Sequence, residues 1–211
     1  FGQFGTRLQG GKDSASARYI FTKLSPLARK IFSTLDDPLL NYLYDDNQKV
    51  EPEYYVPIIP MVLVNGSEGI GTGWSTKIPN FNPRDLVNNL KRMINNEEPL
   101  PMKPWFKGYQ GVIEQVNPHK YVTNGEAAII DDGKMEITEL PIRIWTQTYK
   151  ENVLIPMLEG SDKQPATISD FREYHTDSTV RFLITMPQNN LSKAEEQGIH
   201  KVFKLQTTFS T

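Results

Sequence analysis

One stretch brings together the residue types that phosphoryl chemistry needs: Gly10-Gly11-Lys12-Asp13-Ser14-Ala15-Ser16-Ala17-Arg18-Tyr19. Glycine accepts backbone conformations closed to other residues, so Gly10 and Gly11 could let the chain approach a bulky ligand. Asp13 or Ser14 is placed to cap a following helix with a short side-chain oxygen. Lys12 would then lie beside a helix start, where free N–H groups and the dipole favour an anion. Arg18 stands directly before Tyr19 and offers a planar fork of donors suited to phosphate oxygens. A free phenol has a pKa of about 10 and is a poor nucleophile at neutral pH, so it needs nearby cations or a base. Attack of its phenolate on phosphorus leaves a phosphodiester, so the bond energy is kept for resealing. The same residues have a second reading. Ala17, Ile20, Phe21 and Leu24 surround Tyr19 and suit an aromatic side chain in a core, with Arg18 as a solvated helix charge.

Charge separates these readings. Arg7, Lys12, Arg18, Lys23, Arg29 and Lys30 face Asp13 alone in the first 35 residues, six against one, a local charge of +5 in a chain of formal net charge −2. Such segregation marks a polyanion partner. An acidic run follows, with Asp36, Asp37, Asp45, Asp46, Glu51 and Glu53 against Lys49.

The elements that must position this stretch read as α+β. Residues 1–12 are Gly-rich and irregular, and 13–24 read as a helix. Ser25-Pro26 starts a second helix with Leu27, Ile31 and Phe32 on one face. Residues 41–56 suggest a hairpin turning at Asp45-Asp46-Asn47-Gln48. The paired aspartates there fit a turn tip better than a metal site, because Asp and Asn bond their own backbone. Pro57 to Pro60 marks a boundary between residues 1–57 and 58–211. Met61 to Val64 is a strand or a buried helix turn. Gly66, Gly69, Gly71 and Gly73 lack the offsets of a dinucleotide loop. A helix is expected from Asn82-Pro83 to about Asn96, with Leu86, Leu90 and Met93 inward. Residues 111–139 read as one small antiparallel sheet, with turns at Asn117-Pro118, Asn124-Gly125 and Asp131-Asp132-Gly133. A helix from Trp145 to Glu159 stops at Gly160, Val180 to Met186 is a strand, and Ser192 caps a last helix to about Val202.

The 211 residues, 38% hydrophobic and 23% charged, suffice for one large domain or two small ones. The absence of Cys excludes disulfides and thiolate metal sites. No apolar run approaches the ~18 residues of a membrane span, and no signal peptide is legible. His119, His175 and His200 have no partners at metal-ligand spacing and read as surface or packing residues.

Several motifs together resemble a family. Phe4-Gly5-Thr6-Arg7, Gly10-Gly11-Lys12-Asp13 and Arg18-Tyr19-Ile20-Phe21-Thr22 resemble the active-site tyrosine region of the eukaryotic type IIA DNA topoisomerases. So do Tyr44-Asp45-Asp46-Asn47, Val56 to Met61, Asn65 to Trp74, Ile137-Thr138-Glu139-Leu140-Pro141 and Phe203-Lys204-Leu205. The resemblance runs end to end and is closer to topoisomerase II than to bacterial gyrase. It implies a piece of a longer nuclear protein: the C-terminal part of a winged-helix domain with the active-site tyrosine (1–57), then part of an α+β tower domain with a small, mostly antiparallel sheet (58–211). It implies Tyr19 as nucleophile, Arg18 as its cationic assistant, and Lys12, Gly10, Gly11, Arg7 and Ile70 as DNA contacts. Mg2+ and ATP would serve the full-length enzyme from sites outside this chain, which holds no metal ligands of its own. The partners implied are double-stranded DNA, a second copy in a homodimer, and the metal-binding and ATPase domains of the same enzyme; no membrane is involved. The chain alone would be inactive.

Ile70, between Gly69 and Gly71, has two fates on a protruding loop: it tucks into the core, or it wedges between base pairs and kinks the duplex. The resemblance implies the wedge. Readings from other classes are a non-enzymatic DNA-bending module and an oligomerisation block. Neither has a use for the Arg18-Tyr19 pair.

Overall fold

A computed structural model describes residues 1–161 and 165–211. By their contacts these fall into two units, one of residues 22–106 and one of residues 1–21 with 107–211. These bounds differ from a division at residue 57, because the N-terminal segment packs with the C-terminal half of the chain.

Short polar caps and turns shape the unit 22–106. Only one turn of the second expected helix forms, α1 (Ala28–Ile31). A 3-10 helix, Thr34–Leu39, follows, with the Ser33 hydroxyl accepting from the Leu35 N–H. The hairpin forms as the sequence predicts. β1 (Tyr42–Asp45) and β2 (Gln48–Pro52) pair antiparallel around Asp46 and Asn47, both with positive φ, 45° and 61°. Two left-handed residues match the twist of the strands they join. Met61–Asn65 is α2, which settles the strand-or-helix alternative. β3 (Ser67–Gly71) and β4 (Trp74–Ile78) form a second hairpin where the glycines suggest an irregular loop. Gly73 (φ 77°) closes its turn.

α3 (Pro83–Ile94) begins as expected, with the Asn82 side chain accepting from the Arg84 N–H at 3.0 Å and Pro83 in the first turn. Leu86 is buried and Leu90 half-buried, but Met93 is exposed rather than inward. The returning chain is pinned one turn earlier: the Asn89 side chain donates to the Leu100 carbonyl and accepts from its N–H, both at 2.8 Å, and the last turn of α3 goes uncovered.

The other unit is built on two antiparallel sheets. β5 (Val112–Asn117), β6 (Lys120–Asn124), β7 (Glu126–Asp131) and β8 (Lys134–Glu139) occupy the expected region. They do not form one sheet. β5 and β6 join β11 (Gln206–Ser210) in the order β11-β6-β5. β7 and β8 join β9 (Asp170–Glu173) and β10 (Phe182–Thr185) in the order β7-β8-β10-β9. The chain changes sheet at Gly125, whose N–H donates to the Leu205 carbonyl at 2.8 Å, and where a Cβ would strike the Glu139 carbonyl oxygen. Asn124-Gly125 is therefore a crossing point and not a hairpin turn.

The core lies against the four-stranded sheet. Met135, Ile137, Phe182 and Ile184 are fully buried, as are Leu140, Leu154, Phe203 and Leu205. The expected helix before Gly160 forms in three joined parts, α4 (Thr146–Tyr149), a π-helical turn (Lys150–Leu154) and α5 (Ile155–Glu159). Pro156 has no N–H and crowds the preceding turn, a physical reason for the widened segment just before it. Gly160 ends the helix at φ 69°. Ser192 is not a cap. α6 (Gln188–Gln197) starts directly after Pro187, and Gly198 (φ 94°) separates it from α7 (Ile199–Val202).

The helix expected over 13–24 does not form. Residues 17–19 make a single 3-10 turn, and Ile20 is already extended. Asp13 is diverted from capping: its carboxylate accepts from the Thr6 N–H at 2.9 Å and from the Thr6 hydroxyl at 2.5 Å, which holds the Asp13 carboxyl below its usual range. The Ala15 N–H donates to the Gln3 carbonyl and the Phe21 N–H to the Phe1 carbonyl, so the flanks pair with the chain start instead of coiling.

Glu139 is 1% exposed at the end of β8. Its carboxylate accepts from the Arg7 guanidinium, from the Leu140 N–H at 2.9 Å and from the Gln110 N–H at 3.1 Å. Burial first, and this neighbouring carboxylate second, push the Tyr109 phenol up to about 12. Arg7 is the cation that makes a buried Glu139 tolerable. Arg7→Ala should therefore destabilise the chain by about 3–5 kcal/mol, the range for stranding one partner of a buried ion pair. Arg7→Ala combined with Glu139→Gln should recover part of that loss. Urea unfolding of the single and double variants measures both.

Candidate functional site

The Tyr19 segment holds itself together through its turns. The Gly11 N–H donates to the Thr6 carbonyl at 3.0 Å, the Lys12 N–H to Gln9 and the Ser14 N–H to Gly11, both at 3.2 Å, and the Tyr19 N–H to Ser16 at 3.0 Å. A Cβ on Gly5 would meet the Gly11 backbone, carbonyl oxygen at 2.8 Å, so these two glycines allow the loop to fold on itself. The segment is anchored at residues 7, 8 and 10. The Arg7 N–H donates to the Asp177 carbonyl at 2.9 Å, Arg7 pairs with Glu139, and the Leu8 carbonyl accepts from the Gln147 N–H at 2.9 Å. That last bond satisfies an N–H at the start of α4 that lacks a partner within the helix.

Each residue singled out in the sequence has a definite place. Tyr19 is 65% exposed and Arg18 is exposed beside it on the same 3-10 turn. The core reading of Tyr19 is thereby excluded; Phe21 and Leu24, expected to pack around it, are themselves exposed. Lys12 is exposed but has no helix start next to it, since the turn at residue 17 begins later and spans three residues. Its charge acts without help from a dipole. Gly10 does not face open space: it lies against the Trp145 indole. Gly11 (φ 85°) has nothing within 4 Å of where its side chain would be, and it alone of the pair offers an open backbone approach. Arg7 is turned inward to Glu139.

The basic patch is correspondingly thinner than the sequence suggests. Arg7 is paired with Glu139, and in the other unit Arg29 bonds Asp37 at 2.6 Å, which raises the Arg29 pKa. Lys12 and Arg18 make no ion pair among the described residues, and both are exposed. Also among the described residues, no group of three or more His, Asp or Glu side chains is placed to hold a metal ion, and no helix is long and apolar enough to cross a membrane.

Ile70 lies in the unit 22–106, near the tip of the β3–β4 hairpin, where it pairs across with Ser75 and is 95% exposed. Gly69 and Gly71 on either side leave its flanks bare. The core fate of Ile70 is excluded. Sequence reasoning missed three residues that shape these regions: Glu139, Trp145 and Trp74, the last exposed opposite Gly71. Glu139 was accessible to pattern reading, because alternation along β8 puts it on the inward face with Met135 and Ile137. Nothing in the sequence pairs Trp145 with Gly10.

Known proteins share this arrangement. A family model described as DNA gyrase/topoisomerase IV matches residues 1–211. The chain is similar to DNA topoisomerase 2-alpha of Rattus norvegicus, 64% identical over 209 residues, 99% of this chain and 14% of that protein. It is 62% identical over 209 residues to DNA topoisomerase 2-alpha of Homo sapiens, again 99% of this chain and 14% of the relative. A solved structure of the Plasmodium falciparum topoisomerase II DNA-binding, cleavage and re-ligation domain superposes with a TM-score of 0.88 at 50% identity, over 100% of this chain and 28% of that one. The chain thus spans about a seventh of the length of the curated relatives it matches. With the family model covering every residue and the similarity to the eukaryotic enzymes running end to end, the chain belongs to the DNA gyrase/topoisomerase IV family.

Proposed function

We propose that this chain is the tyrosine-bearing part of the DNA breakage-reunion core of a type II topoisomerase. Tyr19 attacks the DNA backbone and forms a transient phosphotyrosine link. Arg18 stabilises the charge that develops on the phosphate oxygens as phosphorus becomes five-coordinate. The observation that carries the reading is the exposure of Tyr19 directly beside an exposed Arg18 on one short turn, in a segment fastened to a buried core at residues 7, 8 and 10. A nucleophile for a duplex must be reachable, and it must be held.

Lys12 serves as a point charge for a neighbouring phosphate, and the open backbone at Gly11 allows close approach. Gly10 and Arg7 support this surface from beneath. Ile70 acts as the wedge: an apolar β-branched side chain on a bare hairpin tip unstacks a base step at a cost of a few kcal/mol, offset by the contacts a bent duplex gains. This exposed Ile70 also favours a second reading, a module that only bends DNA. Residues 1–57 are read as the end of a winged-helix domain and 58–211 as part of a tower domain. The complete protein is a nuclear, homodimeric, ATP-dependent enzyme whose magnesium ions, when bound by acidic residues outside this chain, supply charge neutralisation at the cleaved phosphate. The chain by itself neither cleaves nor relaxes DNA.

Three measurements on the full-length enzyme test the proposal. Tyr19→Phe should abolish protein-linked DNA while leaving DNA affinity nearly intact, because only the attacking oxygen is lost; a covalent complex formed by the Phe variant removes Tyr19 as nucleophile. Arg18→Ala should slow cleavage by about 10²–10³-fold, the range for deleting one preorganised transition-state donor, and Arg18→Lys should restore only part of it. Ile70→Ala should reduce duplex bending, read by fluorescence transfer between labelled DNA ends, with almost no change in melting temperature, since an exposed side chain contributes little to packing.

A further inference from the structure

We propose that Trp145 is a positioning residue for the Tyr19 segment and acts through Gly10; this rests on the reading of Tyr19 as the nucleophile. Residues 1–21 are cross-linked by their own backbone hydrogen bonds, so Lys12, Arg18 and Tyr19 are carried on one piece. The bonds at Arg7 and Leu8 tie that piece down. The contact at Gly10 determines how closely it sits on the start of α4.

The fit at Gly10 is specific. A Cβ built there would lie 2.6 Å from the Trp145 Cδ1 and closer still to Nε1 and Cε2. The indole thus occupies the volume of a side chain that residue 10 lacks. Gly10 also has φ 61°, left-handed backbone that other residues adopt with strain. Gly11 next to it has open space, so packing requires glycine only at position 10.

The indole is itself rigidly mounted. Trp145 is the residue that precedes α4, extended at φ −95° and ψ 149°, and its carbonyl accepts from the Tyr149 N–H at 2.9 Å. Tyr149 is 1% exposed, and its hydroxyl donates to the Phe203 carbonyl at 2.7 Å deep in the core. Core position is relayed outward from Phe203 to Tyr149, to Trp145, to Gly10, and so to the turn that carries Arg18 and Tyr19. Trp145 is 37% exposed, and its removal leaves the core around Tyr149 intact. A nucleophile displaced by about 1 Å loses rate on the order of 100-fold without any loss of binding.

The test uses the full-length enzyme, a supercoiled plasmid, magnesium and ATP. Trp145→Ala should lower kcat for relaxation and the rate of covalent complex formation by about 10- to 100-fold, with KM for DNA and the melting temperature little changed. Trp145→Phe should restore most of the rate. Gly10→Ala should also slow the enzyme, and its effect should be smaller in the Trp145→Ala background, where the colliding ring is gone. Wild-type kcat in Trp145→Ala, or an effect of Gly10→Ala that is the same with and without the indole, would overturn the proposal. If Trp145→Ala does not fold, the comparison of Gly10→Ala in the Trp145→Phe and wild-type backgrounds decides it by the same criterion. Loss of these effects with Tyr19→Phe still inactive strikes only the role of Trp145, whereas a covalent link formed by Tyr19→Phe strikes the nucleophile assignment.

Discussion

A single buried carboxylate organises the unit that carries Tyr19. Glu139 ends the inner strand β8, almost wholly out of water, and needs donors on every side. It takes one from the Arg7 side chain, one from the Gln110 backbone and one from the Leu140 backbone. These donors come from the N-terminal segment, from the approach to β5 and from the exit of β8. Removing water from the carboxylate therefore forces three stretches, distant in sequence, to meet at one point. A hydrophobic residue at 139 could fill the volume, but it would not specify which chain segment lies over it.

This accounts for a segment that is exposed and yet ordered. Most of the apolar side chains between residues 17 and 24 remain exposed, so hydrophobic burial does little to hold this stretch. Directional bonds do the work instead: the ion pair of Arg7, the carbonyl of Leu8 capping α4, and the Asp13–Thr6 pair that closes the loop from inside. Such bonds fix orientation as well as proximity. That suits a surface whose side chains must face a ligand, since burying Tyr19 to stabilise it would remove its hydroxyl from reach.

The β3–β4 hairpin solves a related problem by other means. Ile70 and Trp74 are both exposed near its tip, an arrangement that apolar burial disfavours. The pairing of β3 with β4 supplies backbone hydrogen bonds that hold the tip without a core behind it. Gly66 at the base has φ 68° and approaches the Ile78 carbonyl too closely for any side chain, so the hairpin leaves α2 at a defined angle. In both regions, then, the backbone carries the stabilisation and the side chains are left free for contact.

Much of this was legible in the residues alone. The alternating runs of β6, β7 and β8, the Asp46-Asn47 turn, the Asn82 cap and the Gly160 stop are local signals, and local hydrogen bonding realises them as read. The chemistry of Arg18-Tyr19 and the exposed character of Ile70 also follow from type and order, supported by a resemblance that spans the whole chain. Tertiary structure decided what depends on partners far away in sequence. Periodicity from 13 to 24 suggests a helix, but Thr6 takes the Asp13 side chain and the chain start takes the flanking N–H groups. Two glycines suggest one ligand-facing loop, but Trp145 occupies the space at Gly10 and leaves only Gly11 open. Six cations suggest one basic patch, but Glu139 and Asp37 neutralise two of them. The division has one physical reason: a residue's own propensities act over a few positions, whereas the ownership of a charge, a hydrogen-bond donor or an empty volume is settled only when the chain closes on itself.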